Sequence, residues 1–355
     1  MLGWREAHAA AFDSSRNEGR IGARVVAEER GQYTIHDGTI TRQAAISGRL
    51  RHDAQGDPRA YPSVGDWVVA SVPLAGDLLT IHALLPRHSL VTRHAPTDHT
   101  APVQVIAANV DVVFIVASLN AELNLRRLER YLAVVWESGA TPVVILSKAD
   151  LDTDQEIHRS SVEAVAPGVE VIITSSISGS GIEAVRAHLA PGRTVAFIGS
   201  SGVGKSTLVN ALAGYELLTT AGIREDDARG RHTTTRRQLV TLVDGLVIDT
   251  PGMRELALLD GDGLASTFDD IEQVARRCRF GDCRHASEPG CAVLAEIDAG
   301  VLDRGRFGAF LKLEGEARRS ELANDAVARK ADRRKWSAIA RDGGRARREK
   351  YGDDR

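Results

Sequence analysis

The feature that most constrains this chain is a glycine-rich segment that directly follows a short apolar run. Residues 195–198 are Val-Ala-Phe-Ile, typical of a buried strand, and residues 199–206 are Gly-Ser-Ser-Gly-Val-Gly-Lys-Ser. Apolar residues from Leu208 onward recur with helical spacing. A strand, a Gly-x-x-x-x-Gly-Lys-Ser loop and a helix in this order predict a phosphate-binding P-loop. Its glycines let backbone N–H groups turn toward a phosphate at the positive end of the helix.

Several residues of this loop have expected roles in binding a nucleotide. We expect Lys205 to reach the β- and γ-phosphates, where its charge also serves catalysis, and the Ser206 hydroxyl to bind Mg²⁺. The full nucleotide-binding loop comprises Gly199, Ser200, Ser201, Gly202, Val203, Gly204, Lys205, Ser206 and Thr207. The alternative is a glycine-rich turn that precedes a helix by chance.

Bulk properties narrow the class of protein. The chain has 355 residues, 43% of them hydrophobic, and a formal net charge of −3. This length favours two or three domains, and the charge does not indicate a generally basic nucleic-acid binder. The longest apolar stretch, residues 105–119, contains Asn109 and Asp111 and is too short to span a bilayer. Because no apolar signal segment follows Met1, we expect a cytoplasmic protein with no membrane partner.

Short β-rich runs separated by turn residues dominate the region before residue 87. They cover residues 21–27, 32–36, 44–49, 66–71 and 78–84. Five short strands at this spacing predict a small β-barrel, either an OB-fold or another barrel with no nucleic-acid role. Residues 87–104, which include two prolines, are interpreted as a linker.

Beyond residue 110, apolar runs alternate with amphipathic stretches, which predicts a mostly parallel sheet. One motif after these runs, Ser147-Lys148-x-Asp150, resembles the guanine-reading Asn-Lys-x-Asp motif of GTPases. A carboxylate at Asp150 can accept hydrogen bonds from guanine N1–H and N2–H₂ together, which adenine cannot offer. Ser175 and Ser176 follow the next strand, in the position of a second base-binding loop. Taken alone, a Lys-x-Asp sequence is most often a solvated loop.

A second pair of motifs points to magnesium and the γ-phosphate. Asp249-x-x-Gly252 resembles the motif that holds Mg²⁺ through water and brings a glycine amide to the γ-phosphate. Thr234, in the polar segment 215–237, is a candidate to cap Mg²⁺ when the γ-phosphate is present. Because the base-reading motifs precede the P-loop here, the reverse of the order in Ras-like enzymes, the chain resembles a circularly permuted GTPase.

All three cysteines of the chain lie in one short segment with a histidine. The pattern is Cys278-x₄-Cys283-x-His285-x₅-Cys291. Three thiolates and one imidazole form a closed tetrahedral set, which is typical of structural zinc. The alternative is three buried cysteines near a surface histidine.

Four features together resemble one family, the ribosome small subunit-dependent GTPase A (RsgA or YjeQ) proteins. These features are the barrel, the permuted motif order, the sequence Gly-Arg-His-Thr-Thr-Thr at 230–235 and the cysteine–histidine pattern. The resemblance covers residues 20–320. It implies an OB-fold, a role in late maturation of the small ribosomal subunit and hydrolysis stimulated by that subunit. One departure is Ser147, where the family usually has Asn. In the family the Asn amide hydrogen-bonds guanine N7 and braces the P-loop. We expect the shorter serine to lose these contacts, and therefore weaker affinity for guanine nucleotides.

The catalytic step also departs from Ras-like enzymes. In those enzymes a Gln after Asp-x-x-Gly orients the attacking water, whereas this chain has Met253, whose thioether donates no hydrogen bond. His232, just before the switch threonines, is the expected substitute, and the similar family uses the histidine of this motif. The alternative is that His232 helps the loop to fold or contacts rRNA.

The predicted architecture is a multi-domain α/β protein. Its segments are an N-terminal arm (1–18), an OB-like β-barrel (19–95), a circularly permuted P-loop GTPase domain with a mostly parallel sheet (96–260), a helical zinc-binding domain (261–328) and a basic tail (329–355). The tail is interpreted as an RNA-contacting extension or as a merely solvated one.

We therefore expect a GTP hydrolase that binds the small (30S) ribosomal subunit and its rRNA, assists late maturation of that subunit and acts as a monomer. Its expected cofactors are GTP or GDP, Mg²⁺ and one structural Zn²⁺. Two alternatives stay open. One is a P-loop ATPase or kinase, which base preference would separate. The other is a nucleic-acid-binding P-loop protein whose nucleotide site is regulatory, with little turnover.

Overall fold

The fold was obtained as a computed structural model. It describes residues 2–14, 19–29, 31–55, 57–73, 77–93, 104–119, 123–218, 237–249 and 262–319, and the basic tail expected at 329–355 lies outside them. Among the helices of this described part, none is both long and apolar enough to cross a membrane.

The first five strands close into a barrel. They are β1 (Arg20–Glu29), β2 (Gln32–His36), β3 (Thr41–Ile46), β4 (Trp67–Ser71) and β5 (Leu79–Leu84). The strand order is β1-β2-β3-β5-β4, and β4 pairs back onto β1, which completes the ring. Alternate side chains such as Val25, Ile35, Val68 and Ile81 fill the interior. The predicted OB-like barrel is confirmed.

The third strand of the barrel lies three residues earlier than the sequence pattern predicts. It ends at Ile46 instead of Arg49, because Ser47 caps a short helix, α2 (Gly48–Asp53). The Ser47 hydroxyl accepts a hydrogen bond from Leu50 N at 3.1 Å. A 3-10 turn follows at Pro58–Ala60.

An N-terminal helix covers one end of the barrel. Helix α1 (Glu6–Ser14) follows Trp4, whose ring meets Trp67 edge-on with 4.7 Å between the ring centroids. Leu2, Ala11 and Phe12 pack against the same apolar cluster, which also includes Leu85. The N-terminal arm therefore packs on the barrel.

The remaining strands form a sheet that is mostly parallel. They are β8 (Val112–Ser118), β9 (Thr141–Ser147), β10 (Glu170–Ile173), β11 (Thr194–Ile198), β12 (Arg237–Thr241) and β13 (Leu246–Asp249), while β6 (Leu90–Arg93) and β7 (Gln104–Ala108) form a separate antiparallel pair. The order β10-β9-β8-β11-β13 is parallel throughout, and β12 joins β13 as an antiparallel neighbour. The continuous apolar runs predicted as buried strands occupy its centre.

Two observations revise the predicted connection between the barrel and the parallel sheet. The interval 87–104, interpreted as a linker, contains β6, because buried residues such as Val91 pack into the core through pairing with β7. In addition, β1 of the barrel pairs antiparallel with β12, so barrel and sheet form one continuous eleven-stranded sheet.

The helices that flank the parallel sheet are α3 (Leu125–Glu137), α4 (Gln155–Val165), α5 (Ile182–Arg186) and α6 (Lys205–Ala213), with a 3-10 turn at Ala149–Leu151. Helix α3 has a wide apolar face that is buried against β8 and β9. Its N-terminus is capped by Asn124, whose side chain accepts from Arg127 N at 3.0 Å.

The C-terminal helices pack onto the outer face of α3. They are α7 (Asp262–Thr267), α8 (Asp269–Ala275), α9 (Ala292–Asp298) and α10 (residues 304–319). Arg306 of α10 is nearly fully buried and donates to Glu129 of α3 at 2.6 Å and to both carboxylate oxygens of Asp270 at 2.8 and 2.9 Å. This paired charge cluster joins the C-terminal helices to the parallel sheet.

Candidate functional site

The glycine-rich loop connects the end of β11 to the start of α6. Gly204 precedes the first helical residue with a φ of 96°, in the left-handed region. Gly199 has a φ of 140°, and a Cβ atom there would lie 2.2 Å from the carbonyl oxygen of Val116. Only glycine fits at such a close approach of two backbones. The loop therefore wraps the N-terminus of α6, as a phosphate-binding loop requires.

The side chain of the loop lysine is hydrogen-bonded to the backbone of the same loop. Lys205 Nζ donates to the carbonyl oxygens of Gly199 at 2.8 Å and Ser200 at 2.6 Å. These contacts keep the ammonium group on the concave side of the loop. Ser206 is half-buried in the first turn of α6, and Ser201, Gly202 and Thr207 are exposed beside it. The arrangement can bind an anion with backbone N–H groups, a helix N-terminus and one fixed cation.

The two motifs predicted to read the base meet at the carboxyl ends of β9 and β10. Lys148 adopts a left-handed conformation, with φ 61°, and turns the chain into the 3-10 turn that carries Asp150. Ser175 Oγ donates to Asp150 Oδ1 at 2.5 Å, while Asp150 itself is exposed. Ser176, half-buried, follows directly. The acid is therefore oriented by a serine 25 residues away while its carboxylate faces solvent.

Ser147 braces the P-loop, contrary to the sequence-based expectation. Its hydroxyl donates to the carbonyl oxygen of Val203 at 2.6 Å, with Ala117 O at 3.2 Å. We expected the shorter side chain to lose the brace that an asparagine would supply. The contact is kept because the ends of β9 and β11 bring Val203 within reach of the serine hydroxyl.

Helix α3 contributes two side chains that sequence reasoning missed. The Arg127 guanidinium donates to Ser200 Oγ of the loop, and the side chain of Tyr131 shares a further hydrogen bond with Ser200. Burial raises the pKa of Tyr131 above its ordinary value, so its hydroxyl stays protonated. The only sequence signal was an amphipathic helix after the first strand of the parallel sheet, which does not reveal a partner.

Part of the predicted site lies outside the residues that the structure describes. His232, Thr234 and Gly252 belong to this part, and for Asp249 the structure describes the backbone alone. Asp249 ends β13, which runs parallel to β11 with Ala196 opposite Ile248. Its backbone therefore lies at the same edge of the sheet as the P-loop.

The cysteine–histidine motif is assembled into one cluster. The ligand atoms of Cys278, Cys283, His285 and Cys291 all lie within 4.8 Å of one another. Cys278 Sγ is 3.9 Å from Cys291 Sγ, and His285 Nδ1 is 3.6 and 3.4 Å from these two sulfurs. Bond lengths of about 2.3 Å to sulfur and 2.0 Å to nitrogen at a tetrahedral ion put ligand atoms roughly 3.5–3.8 Å apart. The donor set and its spacing fit zinc.

Backbone N–H groups surround the sulfurs. Ala292 N donates to Cys278 Sγ at 3.3 Å, and Leu294 N donates to Cys291 Sγ at 3.4 Å, where Cys291 caps the start of α9. Burial acts to raise the pKa of Cys278, but hydrogen bonds from Val293 and Ala292 outweigh it and hold the pKa below its ordinary value. These contacts favour the metal-binding thiolate form of Cys278, whereas burial raises the pKa of Cys283 to about 11.

Comparison with known proteins decides the family. The family model for the RsgA GTPase matches residues 84–259. The small ribosomal subunit biogenesis GTPase RsgA 2 of Lactiplantibacillus plantarum is 45% identical over 309 residues, which cover 87% of this chain and 86% of that protein. The RsgA of Syntrophotalea carbinolica is 41% identical over 99% of this chain and 98% of its own length. This chain belongs to the RsgA GTPase family.

Two solved structures share the fold of this RsgA GTPase. YjeQ from Thermotoga maritima is 24% identical with a TM-score of 0.60 and covers 84% of this chain and 98% of its own. YloQ, described as a circularly permuted GTPase, is 23% identical with a TM-score of 0.57 and covers 85% and 98%. The predicted permutation is therefore confirmed, and membership of the family makes the chain a GTP hydrolase.

Proposed function

We propose that this RsgA GTPase binds the small ribosomal subunit and its rRNA, assists late maturation of that subunit in the cytoplasm, and hydrolyses GTP faster when bound to it. The observation that carries the proposal is similarity over nearly the whole chain to proteins named small ribosomal subunit biogenesis GTPases. The combination of a closed barrel, a nucleotide site and a cysteine–histidine cluster in one chain supports it.

The nucleotide chemistry follows from the donors and acceptors at the sheet edge. The loop from Gly199 to Thr207 holds the phosphates, with the Lys205 charge against the transferred group. Asp150, with Lys148 and Ser175 beside it, selects guanine. Ser206 and Thr234 would hold Mg²⁺, with Asp249 acting through water, and the bound ion would supply positive charge to the phosphate groups.

Three further roles are proposed, two for residues outside the described part of the chain and one for the cysteine–histidine cluster. His232 positions the attacking water, since Met253 cannot, and Gly252 offers its amide to the γ-phosphate. Cys278, Cys283, His285 and Cys291 hold one structural Zn²⁺, because all four positions of a tetrahedral ion are then filled by the protein.

Exposed arginines and one exposed aromatic ring support an RNA partner. Beside the cysteine–histidine cluster, Arg276, Arg279 and Arg284 are exposed, and the Arg279 guanidinium lies 5.5 Å from the ring centroid of exposed Phe280. Arginines bind phosphates, and an exposed ring offers a surface for base stacking.

The test is steady-state GTP turnover by the full chain, alone and with purified small or large ribosomal subunits. We expect roughly hundredfold stimulation by small subunits, the range that one positioned acid–base group contributes, and none by large subunits. His232→Ala should bind nucleotide and subunit normally but lose the stimulation. Equal stimulation by both subunits contradicts the proposal, and slow turnover under all conditions favours the alternative of a regulatory nucleotide site.

A further inference from the structure

Ser147 lies at the base-reading end of the nucleotide site, and its only proton is committed. Its Oγ lies 2.6 Å from Val203 O and 3.2 Å from Ala117 O, and the residue is 3% exposed. A serine hydroxyl donates a single hydrogen bond. The shorter contact, to the backbone of the P-loop, takes that proton, and the second nearby group is another acceptor.

Guanine N7 is an acceptor and can be read only by a donor. An asparagine amide at position 147 carries two N–H groups, so it can give one to the loop carbonyl and the other to N7 at the same time. A hydroxyl that already donates to Val203 O has no second proton to donate to N7. Bracing the loop and reading N7 therefore exclude each other for serine, although asparagine can do both.

We propose that this GTPase holds guanine nucleotides without reading N7, and that Ser147 acts as a brace for the P-loop. The inference deepens the proposed function and rests on its guanine-nucleotide site. Base selection then depends on the N1 and N2 edge, through Asp150, whose carboxylate is oriented by Ser175 at 2.5 Å. Nucleotides in which N7 is replaced by a C–H group are ligands of the same quality as GDP.

The experiment compares dissociation constants of GDP and 7-deaza-GDP for the full chain, measured by calorimetry. The wild type should bind the two equally. Ser147→Thr, which keeps one hydroxyl proton, is the matched control and should also give a ratio near one. Ser147→Asn should bind GDP about fivefold more tightly than 7-deaza-GDP, the value of one neutral hydrogen bond.

Two results would overturn the inference. One is a several-fold preference of the wild type for GDP, because some donor, a bound water included, would then read N7. The other is a folded Ser147→Asn variant that binds GDP and 7-deaza-GDP equally, because the residue at position 147 would then not determine whether N7 is read. If the asparagine variant fails to fold, Ser147→Ala provides a second test. This variant should weaken the binding of GDP and 7-deaza-GDP equally. A ratio of the two dissociation constants that departs from one would also overturn the inference. Failure of the wild type to bind GDP at all would instead refute the proposed guanine site.

Discussion

At the scale of single residues, the base-reading end of the site depends on contacts between positions far apart in sequence. Ser175 orients Asp150 across 25 residues, and Ser147 holds Val203 across 56 residues. In each case a serine hydroxyl donates to an acceptor that lies far away in the sequence. The proposed chemistry of the motif rests on Asp150, and Ser175 fixes the orientation of its carboxylate.

Replacing Asp150 by Asn tests the carboxylate. The variant should bind GDP roughly a hundredfold more weakly, since two hydrogen bonds to a charged acceptor are lost, and should gain affinity for xanthosine diphosphate, whose C2 carbonyl matches the new amide. Competition binding with both nucleotides measures this. Asp154→Asn, an exposed acid at the start of α4, is the control and should behave like the wild type. Wild-type protein that binds ADP as well as GDP would contradict guanine selection through Asp150.

At the scale of elements, α3 is the helix around which the site and the C-terminal helices are arranged. Its first turns reach the P-loop through Arg127 and Tyr131, its apolar face packs on the sheet, and Glu129 lies in the charge cluster with Arg306. One helix therefore contacts both the nucleotide loop and the C-terminal unit. A single apolar stripe could not supply these contacts, which come from three different faces.

Arg127→Ala tests the contact between α3 and the P-loop. Loss of one hydrogen bond and of a cation near the phosphates should weaken GTP and GDP binding by about fivefold and reduce its dependence on salt. Arg127→Lys keeps the positive charge, so it should retain only the part of the affinity that comes from this charge. The control is Arg159→Ala, because the Arg159 guanidinium pairs with Glu163 on its own helix. Affinity and salt dependence equal to wild type would show that Arg127 plays no part in nucleotide binding.

At the scale of the whole molecule, strand and charge pairing join three units that sequence reasoning treats as separate. β1 pairs with β12, which makes the barrel an extension of the parallel sheet. Arg24 of β1 is fully buried and donates to Gly65 O at 3.0 Å, Asn109 O at 3.2 Å and Thr194 Oγ1 at 2.9 Å, and burial lowers its pKa to about 10. The guanidinium therefore stays charged at neutral pH and links β1 to the start of β11.

We expect the stability of the C-terminal unit to depend on its cysteine–histidine cluster. Helices α8 and α9 have seven residues each, too few to be stable alone, and the segment between them has no regular structure. Metal analysis should find one zinc per chain. Chelation or Cys283→Ala should remove it and lower the midpoint of thermal unfolding by about 10 °C, equivalent to roughly 3 kcal/mol or more. Ser287→Ala is the control, and metal-free protein after purification without chelators would refute the zinc site.

Short motifs and their spacing were enough to predict much of this protein. The P-loop, the reversed motif order and the four clustered cysteine and histidine ligands could be predicted because each is encoded within a few residues and has a specific chemistry, and guanine reading by Asp150 stays a prediction of the same kind. The strand before the P-loop was predicted at residues 195–198, close to the observed bounds of β11, Thr194–Ile198. All of these are local properties of the chain.

The tertiary structure alone decided which distant groups meet. The brace from Ser147, the contact of Arg127 with Ser200 and the pairing of β1 with β12 each join residues 56 or more positions apart. No local pattern marks such a partner, because a serine, an arginine or an edge strand is equally compatible with solvent. Its role is set by what the fold places within hydrogen-bond distance, and that depends on how the whole chain packs.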